Sequence, residues 1–291
     1  MLFDTVCIVG VGLIGGSFGI AIRERKLARQ VIGLVRRKET INVAFQCGAV
    51  DNASMDVSVA ARGADLIMLA SPVGQMRALC QELAPVVRAG AIVTDAGSTK
   101  ADVVEDCTRI FGQKALFVGG HPMAGSERTG VENARGNLFE KAVWVLTPTA
   151  DTPEGAVNRL VELVEALGAT PLLLDPELHD ALLAVTSHLP HITAAALVHV
   201  FIGAQDKTEF AQQLIGGGWR DSTRVAAGSP EMWRDICLSN APAIARGVND
   251  LIEQLHELHA MLQDRDADRL SAWFEEASIM RRRQGYYPRT S

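Results

Sequence analysis

One histidine in the sequence lies in a setting suited to proton transfer. His121 follows an apolar run over residues 115–118 and the pair Gly119-Gly120, and it precedes Pro122. The apolar run predicts a buried strand, and paired glycines allow another group to approach the backbone closely. Proline favours an extended conformation for the residue before it. Because a neutral imidazole can take a proton near pH 7, His121 is a candidate general base at a ligand-binding edge.

Two further polar residues have the chemistry needed to orient or bind a small anion. Ser98 lies in the polar segment 95–100, directly after another apolar run. Its hydroxyl can hydrogen-bond to a ligand or cap a helix beginning near Thr99, and the sequence leaves both open. Arg224 ends the glycine-rich segment 216–224, which we expect to be a loop opening a helix. A guanidinium there can hold a carboxylate with two parallel hydrogen bonds.

The start of the chain carries a dinucleotide-binding pattern. An apolar run over residues 5–9 leads into GxGxxG, and a helical pattern continues to about residue 25. The first glycine permits a tight turn, the second admits a pyrophosphate, and the third lets helix and strand pack closely. The helix N-terminus offers free N–H groups and a positive dipole end. The residues predicted to contact the dinucleotide here are Gly10, Gly12, Leu13, Ile14 and Gly15.

The next strand bears on which nucleotide is bound. It ends at Val35, where NAD-preferring folds usually place Asp or Glu for the ribose hydroxyl, and Arg36 and Arg37 follow. Two guanidiniums without a carboxylate favour a 2′-phosphate, so we predict NADP, with NAD as the alternative. Both arginines could also be solvated surface charges. Ser71 and Pro72, after the third strand, are predicted to pass over the cofactor.

The alternation of strands and helices predicts the architecture. Strand-like runs recur up to about residue 174, with helical patterns between them, and only helical periodicity follows. This order indicates an α/β fold, in which a Rossmann-like, doubly wound, mostly parallel sheet is followed by an all-helical dimerisation domain. We place the dinucleotide-binding domain at residues 1–175 and the helical substrate and dimerisation domain at 176–291. Pro190 is expected to kink a long helix in the second domain.

Composition limits the classes of partner. A net charge of −6 argues against nucleic acid, and we expect no apolar run to approach the ~20 residues of a membrane span. The N-terminus has no basic segment before its apolar run, and the five cysteines are scattered. These features predict a cytoplasmic protein with reduced thiols. No cluster of His, Cys and carboxylates suggests a metal. Apolar stripes in the helical part predict a homodimer, with a purely intramolecular core as the alternative.

Taken in order, the motifs resemble those of the prephenate dehydrogenase family, including its arogenate and cyclohexadienyl members. The resemblance covers nearly the whole chain and implies oxidative decarboxylation of prephenate or arogenate on the route to tyrosine. From the first strand near residue 5 and the end at residue 291, we expect neither a fused chorismate mutase nor a fused regulatory domain. The segments that carry it are GxGxxG at 10–15, DAGSTK at 95–100, GGHPMAGSE at 119–127, SHLPH at 187–191 and GGGWRDSTR at 216–224.

The resemblance implies catalytic roles for two residues. His121 would hydrogen-bond to the ring 4-hydroxyl and take its proton as hydride leaves the same carbon. Ser98 would orient that histidine and the hydroxyl. His188 is included among the predicted substrate contacts, with a packed histidine as the alternative reading.

It implies further substrate contacts from the second half of the chain. His191 would contact the side-chain end of the substrate, and Arg224 would bind a carboxylate. Glu127 and Asp180 match acidic positions that would gate the site with that arginine, although Asp180 could also be a surface carboxylate. Trp233 matches an aromatic residue that lines the site. Without the resemblance, a tryptophan at this position would be read as a core residue.

Two other functions are compatible with parts of the pattern. An NADP-dependent β-hydroxyacid dehydrogenase or imine reductase also joins a nucleotide-binding half to a helical half. Such enzymes typically use Lys, Asp or Tyr from the helical half, where this chain offers His and Arg. A nucleotide-sensing protein without turnover would need no base, so His121 argues against it.

Overall fold

The computed structural model describes residues 1–125, 128–206 and 208–284. The first part of the chain forms a single sheet of eight strands. In chain order the strands are β1 (Phe3–Val9), β2 (Ala28–Leu34), β3 (Asn52–Ser54), β4 (Leu66–Leu69), β5 (Ile92–Asp95), β6 (Leu116–Pro122), β7 (Val143–Thr147) and β8 (Thr170–Leu173).

Six helices of the first part connect these strands, and six more form the second part. The first six are α1 (Leu13–Glu24), α2 (Lys38–Gln46), α3 (Val57–Ala61), α4 (Met76–Leu83), α5 (Ala101–Phe111) and α6 (Glu154–Ala166). The second six are α7 (Pro176–Leu183), α8 (Leu189–Gln205), α9 (Gly217–Thr223), α10 (Pro230–Ser239), α11 (Ala241–Asp264) and α12 (Ala267–Gln284).

The strand order is β3-β2-β1-β4-β5-β6-β7-β8, so β1 lies inside the sheet and the winding reverses between β1 and β4. All neighbouring pairs are parallel except β6 and β7. In such sheets ligands bind outside the carboxyl ends of the strands, at the point of reversal. The prediction of a Rossmann-like, mostly parallel sheet followed by a helical part is confirmed.

Strand β1 is buried on both faces of the sheet. Its successive side chains point to opposite faces, and each face is covered by its own apolar cluster. Val6 and Ile8 pack into one apolar cluster with Phe18 of α1, whereas Cys7 and Val9 pack into another with α4 and α5. Two layers of helices therefore cover the sheet and hold its carboxyl edge in place.

One local prediction in the helical part was wrong. The glycine-rich segment 216–224 contains helix α9, and Arg224 begins a 3₁₀ turn, Arg224–Ala227, instead of opening an α-helix. The break between α7 and α8 is a π turn, Ala184–His188, and Pro190 lies in the first turn of α8. A kink at Pro190 stays a prediction, and the irregularity that the structure describes in this helical stretch is the π turn just before it.

The expectation that no apolar run reaches the length of a membrane span was also wrong. The helical stretch Pro176–Gln205 is long and apolar enough to cross a membrane by length and composition, with a mean hydropathy of 1.5 in its best window. Only 22% of that window is buried within this chain. Core and interface helices of globular proteins can have the same composition.

Candidate active site

The turn after β1 has the shape required to hold a dinucleotide phosphate. Gly10 has a φ of +93°, and a side chain at Gly15 would place its Cβ 2.1 Å from the Gly10 carbonyl oxygen. A Cβ at Gly12, by contrast, would meet nothing within 4 Å. No side chain caps the N-terminus of α1, so its N–H groups can bind an anion. The residues here fit a nicotinamide dinucleotide.

Residues at the end of β2 and β4 extend this crevice. Val35 is buried, whereas Arg36 and Arg37 are exposed, and the structure describes no hydrogen bond or ion pair for either guanidinium. Ser71 Oγ donates to the Val9 carbonyl oxygen at 3.3 Å, which fixes the loop before Pro72 beside β1. Contact of these residues with the cofactor stays a prediction.

A cavity of about 200 Å³ lies beyond the carboxyl end of β6, between the sheet and the helical part. His121, the penultimate residue of β6, lines the cavity and is buried. Ser98 enters from the loop after β5, and Trp233 enters from α10. The other lining residues are Pro122, Met123, Ala124, Ser187, His188, Met232 and Ile236.

A chain of side-chain contacts leads away from His121. Its Nδ1 lies 2.9 Å from His179 Nε2, and His179 Nδ1 lies 2.8 Å from Asp180 Oδ1. His179 is fully buried in α7, and its ring meets that of His121 edge to face, with centroids 5.1 Å apart. Which nitrogen donates and which accepts in these contacts depends on the tautomers of the two histidines.

The carboxylate of Asp180 is buried and caps helix α5. It accepts hydrogen bonds from the backbone N–H groups of Lys100 at 2.7 Å and Ala101 at 2.9 Å. Asp180 is therefore not a surface carboxylate, and Ser98 does not cap α5. The placement also differs from the expected gate, since the contacts described for this carboxylate involve α5 and His179, not Arg224.

A buried ion pair supports the loop that carries Ser98. Lys100 Nζ contacts Asp95 Oδ2, and both side chains are 0% exposed. Asp95 also accepts from Gly97 N–H at 2.7 Å and from Gly120 N–H at 2.9 Å. The pair thus connects the end of β5 to β6 at Gly120, the residue directly before His121.

The two histidines of the motif at residues 187–191 have different surroundings. His188 is buried, and its Nδ1 lies 3.2 Å from Asn240 Nδ2, while its Nε2 has no hydrogen-bond partner in the described structure. His191 is partly exposed and stacks on Trp233, with ring centroids 3.5 Å apart. Trp233 also meets His188 edge to face. His188 and Trp233 line the cavity, whereas His191 is connected to it only through its stack on Trp233.

Burial controls the charge of the two histidines that line the cavity. Burial, and then the proximity of Lys100, His179 and His188, holds the pKa of His121 well below 6.5. Burial also lowers the pKa of His188 to about 4, against the opposing effect of Asp180. Both rings are therefore neutral near pH 7, which is the state that a general base requires.

The structure does not bring every predicted residue to the cavity. Arg224 is exposed, and no hydrogen bond or ion pair of its guanidinium is described. It follows α9, near α8 but outside the lining of the cavity. Glu127 lies outside the described residues.

Comparison with known proteins identifies the origin of this arrangement. A family model described as the nucleotide-binding domain of prephenate dehydrogenase matches residues 18–173, and one described as its dimerization domain matches residues 175–276. The chain belongs to the prephenate dehydrogenase family. It is therefore an oxidoreductase that uses a pyridine nucleotide.

Relatives within the prephenate dehydrogenase family match nearly the whole chain. The prephenate dehydrogenase of Bacillus subtilis is 35% identical over 96% of this chain and 75% of its own length. The solved A. aeolicus prephenate dehydrogenase has a TM-score of 0.91 at 33% identity and covers 96% of this chain and 98% of its own. The Synechocystis arogenate dehydrogenase has a TM-score of 0.84 at 31% identity, with 96% and 99% covered.

Sequence reasoning missed several polar residues of this prephenate dehydrogenase family site. His179, Asn240 and the Asp95–Lys100 pair were not assigned any role. His179 and Asp180 follow each other in α7, whose other residues apart from Glu177 are apolar, and this is a signal for a buried polar pair. The partners lie 58 to 80 residues away, so only the fold shows which groups they contact.

Proposed function

We propose that this chain oxidatively decarboxylates prephenate, giving 4-hydroxyphenylpyruvate for tyrosine biosynthesis, with arogenate as a possible second substrate that would give tyrosine. The observation that carries the proposal is His121, buried and neutral at the carboxyl end of β6, with Ser98 in the same cavity. The A. aeolicus protein was solved with hydroxyphenyl propionate and NAD⁺, which supports a hydroxylated ring in the corresponding cavity.

The residues of the cavity supply the acid–base part of the reaction. Ser98 orients the ring 4-hydroxyl, and His121 Nε2 removes its proton as the carbon–oxygen bond becomes a carbonyl. When bound, the nicotinamide accepts the hydride that leaves this carbon. The electron pair of the breaking carbon–carboxylate bond then makes the ring aromatic, carbon dioxide leaves, and His121 returns the proton to the phenolate oxygen.

The remaining predicted contacts bind the substrate. His191 and Trp233 form the wall that faces its side chain, and His188 presents a buried ring nitrogen to the same space. Arg224 binds a carboxylate, and Glu127 and Asp180 remain acidic residues of the site, Asp180 through its contact with His179.

We further propose that the chain acts as a cytoplasmic homodimer, with the nucleotide bound within about residues 1–175 and the interface in the helical part. The match to a dimerization domain supports this. So do the exposed apolar side chains of α7, α8, α11 and α12, which a second copy would cover. Those more than 40% exposed include Leu178, Leu182, Val185, Val200, Ile202, Ile252, Leu255, Leu262, Phe274 and Met280.

A matrix of four kcat/KM values tests the function. Prephenate and arogenate are each paired with NADP and NAD, and turnover is followed by reduced nicotinamide. We expect prephenate with NADP to give the highest value. Absence of turnover in all four pairs, with a folded enzyme that binds nucleotide, would contradict the proposal and favour a nucleotide sensor.

Replacing Arg36 and Arg37 together by alanine should weaken NADP binding much more than NAD binding. We expect KM for NADP to rise about 10-fold or more, because charge-assisted hydrogen bonds contribute about 1.5–3 kcal/mol when shielded and less in solvent. The control is Arg29→Ala with Arg62→Ala, which removes the same charge from other exposed positions. Equal effects on the two nucleotides would show that Arg36 and Arg37 do not read a 2′-phosphate.

Replacing Arg224 by alanine should raise KM for prephenate by about 10- to 100-fold, since a charge-assisted hydrogen bond contributes about 1.5–3 kcal/mol. Arg224→Lys keeps the charge but not the forked geometry, so it should restore binding only in part. NADP affinity should not change. The control is Arg220→Ala, an exposed arginine one turn earlier. An unchanged KM for prephenate would remove Arg224 from the site.

A further inference from the structure

Two residues connect the candidate base to the end of a helix, and their hydrogen bonds restrict where the hydrogens lie. His121 contacts His179, His179 contacts Asp180, and Asp180 caps α5. We propose that His179 and Asp180 are positioning residues that hold His121 in the tautomer with hydrogen on Nδ1, leaving a lone pair on Nε2 for the substrate. This inference rests on the proposed role of His121 as the base.

The direction of the hydrogen bonds starts from Asp180. Its two carboxylate oxygens accept from the backbone N–H groups of Lys100 and Ala101, so in the ionised form the group has only acceptors to offer. His179 Nδ1, which lies 2.8 Å from the same carboxylate, must therefore be the donor.

The remaining contact follows from the two nitrogens of one ring. With a single proton on His179, that proton lies on Nδ1, and Nε2 can only accept. His121 Nδ1, 2.9 Å from this Nε2, must then donate. His121 Nε2 is left unprotonated, which is the state needed to remove a proton from an alcohol. If His179 carried a proton on both ring nitrogens, its Nε2 would donate to His121 Nδ1, and His121 would carry its own hydrogen on Nε2. The NMR experiment described at the end of this section detects that case.

The frame around the three residues is rigid enough to fix this order. His179 is 0% exposed, and Asp180 is 4% exposed. The backbone carbonyl of Asp180 accepts from Asn240 Nδ2 at 2.8 Å, so both its backbone and its side chain are held. Water cannot readily replace these contacts, and the ring of His179 cannot turn over without leaving buried polar atoms unpaired.

Asp180→Asn is the variant that reverses the order with little change in shape. The amide oxygen, placed where Oδ2 lies, can still accept from Ala101 N–H, and the NH₂ group then replaces Oδ1 beside His179 Nδ1, with loss of the bond from Lys100 N–H. His179 would then carry its proton on Nε2 and donate to His121, which would shift to the tautomer with hydrogen on Nε2. We expect kcat to fall by about 10²–10⁴-fold, as when the orienting aspartate of a serine protease is made an amide. KM for prephenate and affinity for NADP should change less than about 3-fold, since the substitution removes no direct contact with the substrate or with the nucleotide.

Two substitutions at His179 separate positioning from packing. His179→Gln can place an amide oxygen near the position of Nε2 and still accept from His121, whereas His179→Leu cannot. We therefore expect kcat of the Gln variant to exceed that of the Leu variant by about 10-fold or more, the usual worth of a hydrogen bond to a catalytic group. Asp175→Asn is the matched control, because Asp175 also caps a helix, α7, but is exposed and away from the cavity.

The deciding readout is ¹⁵N NMR of histidine-labelled enzyme, with the His121 signals assigned by their loss in His121→Asn. The wild type should show a proton on His121 Nδ1, and Asp180→Asn should show it on Nε2. A wild type protonated on Nε2 would overturn the inference. So would an Asp180→Asn enzyme with kcat within about 3-fold of wild type, or Gln and Leu variants of equal activity. A wild type without prephenate turnover would refute the proposed function, whereas the NMR result would still report the tautomer.

Discussion

His121→Asn lowers kcat for prephenate by about 10²–10⁴-fold in our account, which is the usual contribution of a positioned general base. The asparagine amide can still donate to His179 Nε2, so the packing at the end of β6 should be retained. It has no group that can accept a proton near pH 7. The variant should therefore fold and bind NADP as the wild type does.

Steady-state kinetics and nucleotide titration check this result together. His259→Asn is a suitable control, because His259 is an exposed histidine of α11 outside the cavity. The control should have wild-type kcat. If His121→Asn turns over prephenate at a rate near that of the wild type, His121 is not the base.

Lys100→Met should lower the free energy of unfolding by about 3–5 kcal/mol, the usual cost of breaking a buried ion pair from one side. Methionine fills a similar volume, but Asp95 would be left charged and out of contact with water. Without the lysine, the Asp95 carboxylate is no longer fixed in position. The hydrogen bonds that it accepts from Gly97 N–H and Gly120 N–H should weaken, and the loops beside the cavity should become less ordered.

Urea unfolding measures this loss. Lys114→Met is the matched control, since the Lys114 ammonium bonds to two carbonyl oxygens at the surface and is exposed. We expect the control to lose less than about 1 kcal/mol, as exposed charges contribute little. A loss of similar size in the two variants would show that the Asp95–Lys100 pair does not hold the fold together.

The sequence was most informative where a local pattern determines a local structure. Glycines at positions 10, 12 and 15 predicted the turn that the structure shows, because only glycine allows its positive φ and its close backbone contact. Alternating strands and helices predicted the sheet, and the position of His121 after an apolar run placed it at the carboxyl edge.

The parts that could not be predicted depend on contacts between distant segments. The helix α5 is capped by Asp180, 80 positions after Lys100, so its own sequence contains no sign of the cap. The segment 216–224 forms α9 although three glycines begin it, because tertiary packing outweighs a weak local preference. Strand β7 runs antiparallel to β6, and no residue pattern distinguishes the two directions for a buried strand.

In the proposed reaction, one active site couples oxidation of the substrate carbinol to loss of its ring carboxylate. The most direct measurement mixes enzyme, prephenate and excess NADP⁺ in a sealed vessel and quantifies reduced nicotinamide, carbon dioxide and 4-hydroxyphenylpyruvate in the same sample. We expect equal amounts of reduced nicotinamide, carbon dioxide and 4-hydroxyphenylpyruvate. Reduced nicotinamide without carbon dioxide, or no reduction with either NADP⁺ or NAD⁺, would contradict it.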